Sequence, residues 1–128
     1  MLTPEQIAAS GSESAHQKAL FAWIAQQTAY PELKLAFAIP NGGHRDKITA
    51  ARMKAEGAKA GVWDVFLPVP RGPWCGMFIE MKAGKNRLTE MQREFRDNLA
   101  GNYRFAVYYG WEEARDEMMR YMELFVCK

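Results

Sequence analysis

Sulfur and imidazole are scarce in this sequence. Two cysteines, Cys75 and Cys127, and two histidines, His16 and His44, are all that its 128 residues contain. None of them has a second Cys or His at metal-ligand spacing, which argues against a zinc site, a disulfide framework and thiol chemistry. The isolation of the histidines weakens a His-based triad as well, although one histidine acting alone as a general base stays open. No apolar run approaches the roughly 20 residues that a bilayer span requires. The opening Met1-Leu2-Thr3-Pro4-Glu5-Gln6 lacks the basic start and apolar stretch of a secretory signal, so a cytoplasmic protein is the expectation. Internal repeats and low-complexity segments are also missing, and a chain of this length has room for one core, so residues 1–128 read as a single domain.

What is present is an ordinary globular composition, 48% hydrophobic and 25% charged, which excludes a disordered tail or a fibrous repeat. The net charge is only +2, from 17 basic and 15 acidic residues, but it is unevenly spread. Arg45, Lys47, Arg52, Lys54 and Lys59 crowd residues 41–60, and Lys82, Lys85, Arg87, Arg93 and Arg96 crowd residues 82–96. The segment 112–123 is acidic. Such polarity can steer an anionic polymer onto one side of a molecule, although most charge runs are solvated helix faces.

The pattern of elements reads α-β-α-β-β-α-β-α. Residues 1–10 look loose. Ser10 with Glu13 reads as a capping box opening a helix whose face holds Ala19, Leu20, Trp23, Ile24 and Gln27, and Tyr30-Pro31 ends it. Residues 34–39 read as a strand stopped by the turn Pro40-Asn41-Gly42-Gly43. Residues 46–56 read as a helix with Asp46 as N-cap and Gly57 as its left-handed terminator. Residues 62–67 and 76–82 read as strands joined by a wide, proline-rich connection. Thr89 and Gln92 form another capping box before a helix with Met91, Phe95 and Leu99 as its buried stripe. A last strand, 104–109, and an amphipathic helix from Trp111 to Phe125 complete an α/β mixed sheet flanked by helices.

The chemistry concentrates in the two central strands. Asp64 interrupts the nearly continuous apolar run Val62-Trp63-Asp64-Val65-Phe66-Leu67, where a carboxylate must find a partner or bear its desolvation. On the neighbouring strand Glu80 and Lys82 share one face while Ile79 and Met81 share the other. Two carboxylates about 4 Å apart repel by roughly 4 kcal/mol at an effective dielectric of about 20, so a hairpin that faces Asp64 with Glu80 requires nearby positive charge. Lys82 supplies one charge. A divalent cation held by Asp64, Glu80 and the Met81 carbonyl supplies more, and hard oxygen donors of this kind suit Mg²⁺ or Mn²⁺. Such an ion polarises a phosphoryl oxygen and acidifies a bound water, and an adjacent lysine can orient that water, which together point to phosphodiester hydrolysis.

Asp64 followed, after a hairpin, by Glu80-x-Lys82 resembles the PD-(D/E)XK nuclease signature, with Trp63 where proline is frequent. The flanking residues sharpen the likeness: Glu13 and Gln17, Pro40-Asn41-Gly42-Gly43-His44-Arg45, Gly57, Gly61-Val62-Trp63-Asp64, Phe78-Ile79-Glu80-Met81-Lys82, and Leu88-Thr89-Glu90-Met91-Gln92. Together these are similar to the VRR-NUC family, the virus-type replication and repair nucleases, over nearly the whole chain. The resemblance implies a restriction-endonuclease-like fold and a stand-alone minimal nuclease. Asp64, Glu80 and Glu13 would be its metal-site acids, Lys82 its catalytic lysine, and Gln92 its active-site glutamine. Asn41, Gly42 and Arg45 would lie near DNA phosphates, with Lys85 in the second basic stretch. It further implies Mg²⁺- or Mn²⁺-dependent cleavage of DNA, often branched as in four-way (Holliday) junctions, by a homodimer in a bacterial or phage-infected cell. Two alternatives stand beside this: a nuclease of linear or single-stranded DNA, and a DNA-binding module that keeps the fold without turnover.

Each signal has a plainer reading. Glu13 and Gln92 could serve only their capping boxes, Glu80 and Lys82 could be an ordinary strand ion pair, and Arg45 and Lys47 could be merely solvated. His16 and His44 read as solvated polar residues, and Trp23, Trp63, Trp111 and Phe95 as core. Trp74, at the hairpin tip beside Pro73, reads as an exposed aromatic able to wedge into a DNA junction or to pack against a second subunit.

Overall fold

The computed structural model describes residues 1–40, 46–99 and 101–126. The chain begins in structure rather than in a loose tail. Thr3 caps a one-turn helix, α1 (Pro4–Ile7), reciprocally: its hydroxyl accepts from the Gln6 amide at 3.2 Å, and the Gln6 side chain accepts from the Thr3 amide at 2.8 Å. A 3₁₀ turn, Ala8–Ser10, buries Ala8 and ends at Gly11, and α1 packs on the next helix. Local capping and this small burial order a segment whose polarity alone reads as loose. Helix α2 (Glu13–Gln26) starts from Ser12, whose hydroxyl accepts from the Ala15 amide at 3.0 Å. The Ser10–Glu13 box therefore does not form, and Glu13, as the first helical residue, keeps its carboxylate outside the cap.

Residues 34–39 are only partly a strand. Pro31, with its fixed φ, opens a 3₁₀ turn over Pro31–Leu35 that is anchored by the buried Leu33, which leaves β1 (Phe37–Ala38) two residues long. Helix α3 (Lys47–Ala55) forms as its caps dictate: Asp46 accepts from the Thr49 amide at 2.7 Å and from its hydroxyl at 3.0 Å, and Gly57 takes φ 105°. None of its residues is buried.

The central strands are β2 (Val65–Leu67) and β3 (Met77–Met81), antiparallel with Val65 opposite Ile79. Helix α4 (Glu90–Leu99) then crosses over to β4 (Arg104–Tyr108), which runs parallel to β3, and α5 (Trp111–Met122) follows. The described strands lie in the order β1-β2-β3-β4. This is the α/β mixed sheet with flanking helices that the pattern implies. Strand alternation sorts the sheet into two faces. Val65, Leu67, Met77, Ile79 and Met81 point into one core with Ala19, Leu20 and Ile24 of α2 and Met118, Tyr121 and Met122 of α5. On the other face Phe66, Phe78 and Phe105 stack at centroid distances of 4.5 and 5.0 Å, and Phe95 of α4 meets Phe78 edge-on at 5.3 Å.

Three side chains differ from their expected places. Phe125 is exposed, because α5 stops at Met122 and the expected helical stripe does not reach it. Met91 is exposed, because α4 covers a narrow aromatic surface that Phe95 fills, and the first turn of α4 stands at the rim with its main chain against Gly61. Trp74 is half-buried, because the connection folds back through a main-chain bridge between Arg71 and Trp74 that lays the indole on the core. Cys127 lies outside the described residues. Among those described, no helix is long and apolar enough to cross a membrane.

Candidate active site

The hairpin register extends from Val65 and Ile79 to set Asp64 opposite Glu80, on the face that also carries Phe66 and Phe78. Lys82, two residues beyond Glu80, points the same way. At this point the main-chain ladder gives way to side chains. The Asp64 amide donates to Glu80 Oε1 at 3.1 Å, and the Met81 amide donates to Asp64 Oδ2 at 3.3 Å. These carboxylates occupy the place of ladder carbonyls, which is why β2 begins at Val65 and residues 62–64 are not strand.

Glu80 is the hub. Its Oε2 accepts from the Gln92 amide nitrogen at 2.8 Å and lies 3.3 Å from the Lys82 ammonium. Glu80 is 2% exposed and Lys82 8% exposed, so this is a desolvated cluster rather than a surface ion pair. Burial, reinforced by the Asp64 charge, pushes the Glu80 carboxyl up to about 7, and burial likewise raises Asp64 above the usual aspartate value. Gln92 satisfies both of its readings at once. Its Oε1 accepts from the Thr89 amide at 2.9 Å and its own amide donates to the Thr89 hydroxyl at 3.1 Å, completing the capping box, while Nε2 serves Glu80. Trp63 fixes the helix that carries it: the indole N–H donates to the Gln92 carbonyl at 3.0 Å, and the ring meets Phe105 edge-on at 4.9 Å.

Glu13 faces the cluster closely enough to raise the Asp64 carboxyl further, but its Oε2 is held by the Asn86 amide at 2.8 Å. Asn86 is itself anchored, since the Tyr109 hydroxyl donates to its carbonyl at 2.7 Å. Sequence reasoning passed over both residues. Their only signal is position, Asn86 in the polar turn after Lys82 and Tyr109 just past β4. His16 is not a free surface group either, because its Nδ1 accepts from the Trp111 amide at 3.1 Å and caps α5. Lys85 is exposed on the turn between β3 and α4. Asn41, Gly42 and Arg45, with Gly43 and His44, lie outside the described residues.

Among the described residues no three His, Cys, Asp or Glu side chains gather closely enough to hold a metal ion by themselves. The donors that do converge are two hard carboxylates, each raised by burial, with the Met81 main chain bonded to one of them. That set suits a small oxygen-seeking divalent cation, with main-chain carbonyl and water completing its shell.

Sheet, flanking helices and this acid–acid–lysine cluster together define a nuclease-fold domain. The comparisons name the family. The VRR-NUC domain profile matches residues 3–112, and a solved structure described as a VRR_NUC domain protein shares 26% identity, with a TM-score of 0.71 over 90% of this chain and 91% of that one. The chain belongs to the VRR-NUC family. No curated protein matches it.

Proposed function

We propose that this protein is a Mg²⁺- or Mn²⁺-dependent endonuclease that hydrolyses DNA phosphodiesters, with branched DNA such as four-way junctions as its preferred substrate. The observation that carries the reading is the burial of Glu80 and Lys82, with the half-buried Asp64 beside them, on one face at the open end of the hairpin. A purely structural design would be more stable with apolar side chains there. Asp64, Glu80 and the Met81 carbonyl would hold the ion, and Glu13 would reach it through water. When bound, the ion supplies Lewis acidity toward the phosphoryl oxygen and lowers the pKa of a coordinated water. Lys82 orients the attacking water and stabilises negative charge developing on the phosphorus oxygens. Gln92 holds Glu80 in place from the other side. Asn41, Gly42, Arg45 and Lys85 contact phosphates along the DNA. The 128 residues act as one nuclease domain. Two copies working as a homodimer would place paired cuts across a junction, as in DNA repair in the cytoplasm of a bacterial or phage-infected cell.

The test is to incubate labelled linear, flap and four-way-junction DNA with Mg²⁺, Mn²⁺ or chelator, beside Asp64→Ala and Lys82→Ala. Metal-dependent cutting, strongest on the junction and absent in both variants, is the expected result. Cutting that persists in chelator, or variants as active as the parent, would overturn the mechanism.

A further inference from the structure

The connection between β1 and β2 leaves the sheet and rejoins it at one place. Ile39 donates its amide to the Asp64 carbonyl at 2.7 Å, and Asp64 is where the chain returns, so the described residues 46–63 form an arm that rejoins the sheet at the site aspartate. The returning root is closely packed. Gly61 sits at φ 90°, so close to α4 that a Cβ there would lie 2.7 Å from the Met91 carbonyl oxygen, and Trp63 is bonded to the Gln92 carbonyl. The described part of the arm is built around α3, and α3 has no buried residue. A nine-residue helix with only Thr49 and Met53 half-buried gains little from packing and is marginal in water by itself, and its remaining sides are open to an external surface.

The side chains indicate which surface. Lys47 and Lys54, seven residues apart, fall on one side of the helix with Ala50 and Ala51 between them, while the half-buried Thr49 and Met53 lie on the other. Small residues between two ammonium groups leave room for a phosphate backbone to approach. Between Asp46 and Ala60 four basic side chains face two acidic ones, and both acids are engaged, Asp46 by Thr49 and Glu56 by Arg52 at 3.5 Å. Ile48, 84% exposed, lies on a neighbouring side and would suit an apolar occupant. A second copy presenting the same positive helix would be repelled, whereas a polyanion is attracted.

We propose that α3 is a clamp on the flank of the substrate, with Lys47 and Lys54 contacting phosphates of duplex DNA that runs away from the scissile bond. This rests on the nuclease reading and extends it from the cleavage centre to the flanking duplex. The test is anisotropy of long and short labelled duplexes in chelator across a salt series, using the full chain, Lys47→Ala/Lys54→Ala, Lys47→Arg/Lys54→Arg and Asp64→Ala. The alanine pair should lower the slope of log affinity against log salt by about 2 on the long duplex and by less on the short one. The arginine pair should restore it. Both positions are exposed on a helix, and circular dichroism should show the same helix content in every variant. In a parallel arm with Mg²⁺ in place of chelator, the parent should cut and Asp64→Ala should cut nothing. A parent that neither binds nor cuts DNA sinks both readings. A parent that cuts while the alanine pair keeps its full slope overturns the clamp alone. Self-association of the parent that Ile48→Asp abolishes would also overturn it, since a second copy would then cover α3.

Discussion

Glu80 is the residue on which the site turns. Its ordinary value, 4.5, belongs to the unfolded chain, and burial beside Asp64 raises it to about 7 in the fold. The native protein therefore holds a proton that the unfolded chain releases between those two values, and the stability this provides is present below about 4.5 and lost as pH rises to about 7. On that basis Glu80→Gln should stabilise the metal-free protein at pH above 7, by on the order of 3 kcal/mol, and should change stability little in acid. Thermal unfolding in chelator across pH measures the difference, and equal pH profiles for parent and variant would refute it. Gln92 offers a way to separate fold from chemistry. Gln92→Glu retains an acceptor for the Thr89 amide but sets a second carboxylate where Glu80 now accepts a hydrogen bond at 2.8 Å. The helix should persist by circular dichroism while turnover falls by at least about tenfold, roughly 1.4 kcal/mol in the barrier.

At the scale of elements, local signals were legible where a cap or a turn residue acts alone. Asp46, Gly57 and the Thr89–Gln92 box do in the structure what their chemistry dictates. The pattern misread elements that depend on neighbours. The N-terminal segment is ordered by packing against α2, and β2 is shortened because carboxylates displace main-chain acceptors at Asp64 and Glu80. Gly61 shows how closely elements are coupled. Gly61→Ala would force an alanine into φ 90° and against the Met91 main chain, costing about 1–3 kcal/mol and displacing the turn that carries Gln92. Urea unfolding with an unchanged m-value, together with reduced cleavage, is the expected outcome. Phe78→Ala, which empties the centre of the aromatic layer, should cost about 3–5 kcal/mol in the same assay.

For the molecule as a whole, fold and site are linked by charge. The sheet holds the half-buried Asp64 next to the buried Glu80, and a ligand that neutralises them should stabilise the whole chain. Mg²⁺ or Mn²⁺ at about 100 times its dissociation constant should add about 2.7 kcal/mol to stability. That gain should vanish in Asp64→Ala and in Glu80→Gln, as read by unfolding with and without metal. A gain that survives in both variants would mean that the ion binds elsewhere. DNA should act in the same direction with strong salt dependence, because the basic residues are concentrated in two stretches while the net charge is only +2.

The sequence by itself determined which residues could do chemistry, because an aspartate inside an apolar strand and a Glu-x-Lys on the next are costly unless they meet, and strand alternation puts that glutamate and lysine on one face. It also determined the mixed α/β architecture, since helical and strand periodicities alternate along the chain. Only the tertiary structure decided how that cluster is held. Gln92 divides its amide between a helix cap and Glu80, Asn86 holds Glu13 at the rim, and α3 is left without a buried residue. Those arrangements join residues far apart in the chain, and periodicity carries no information about such pairings.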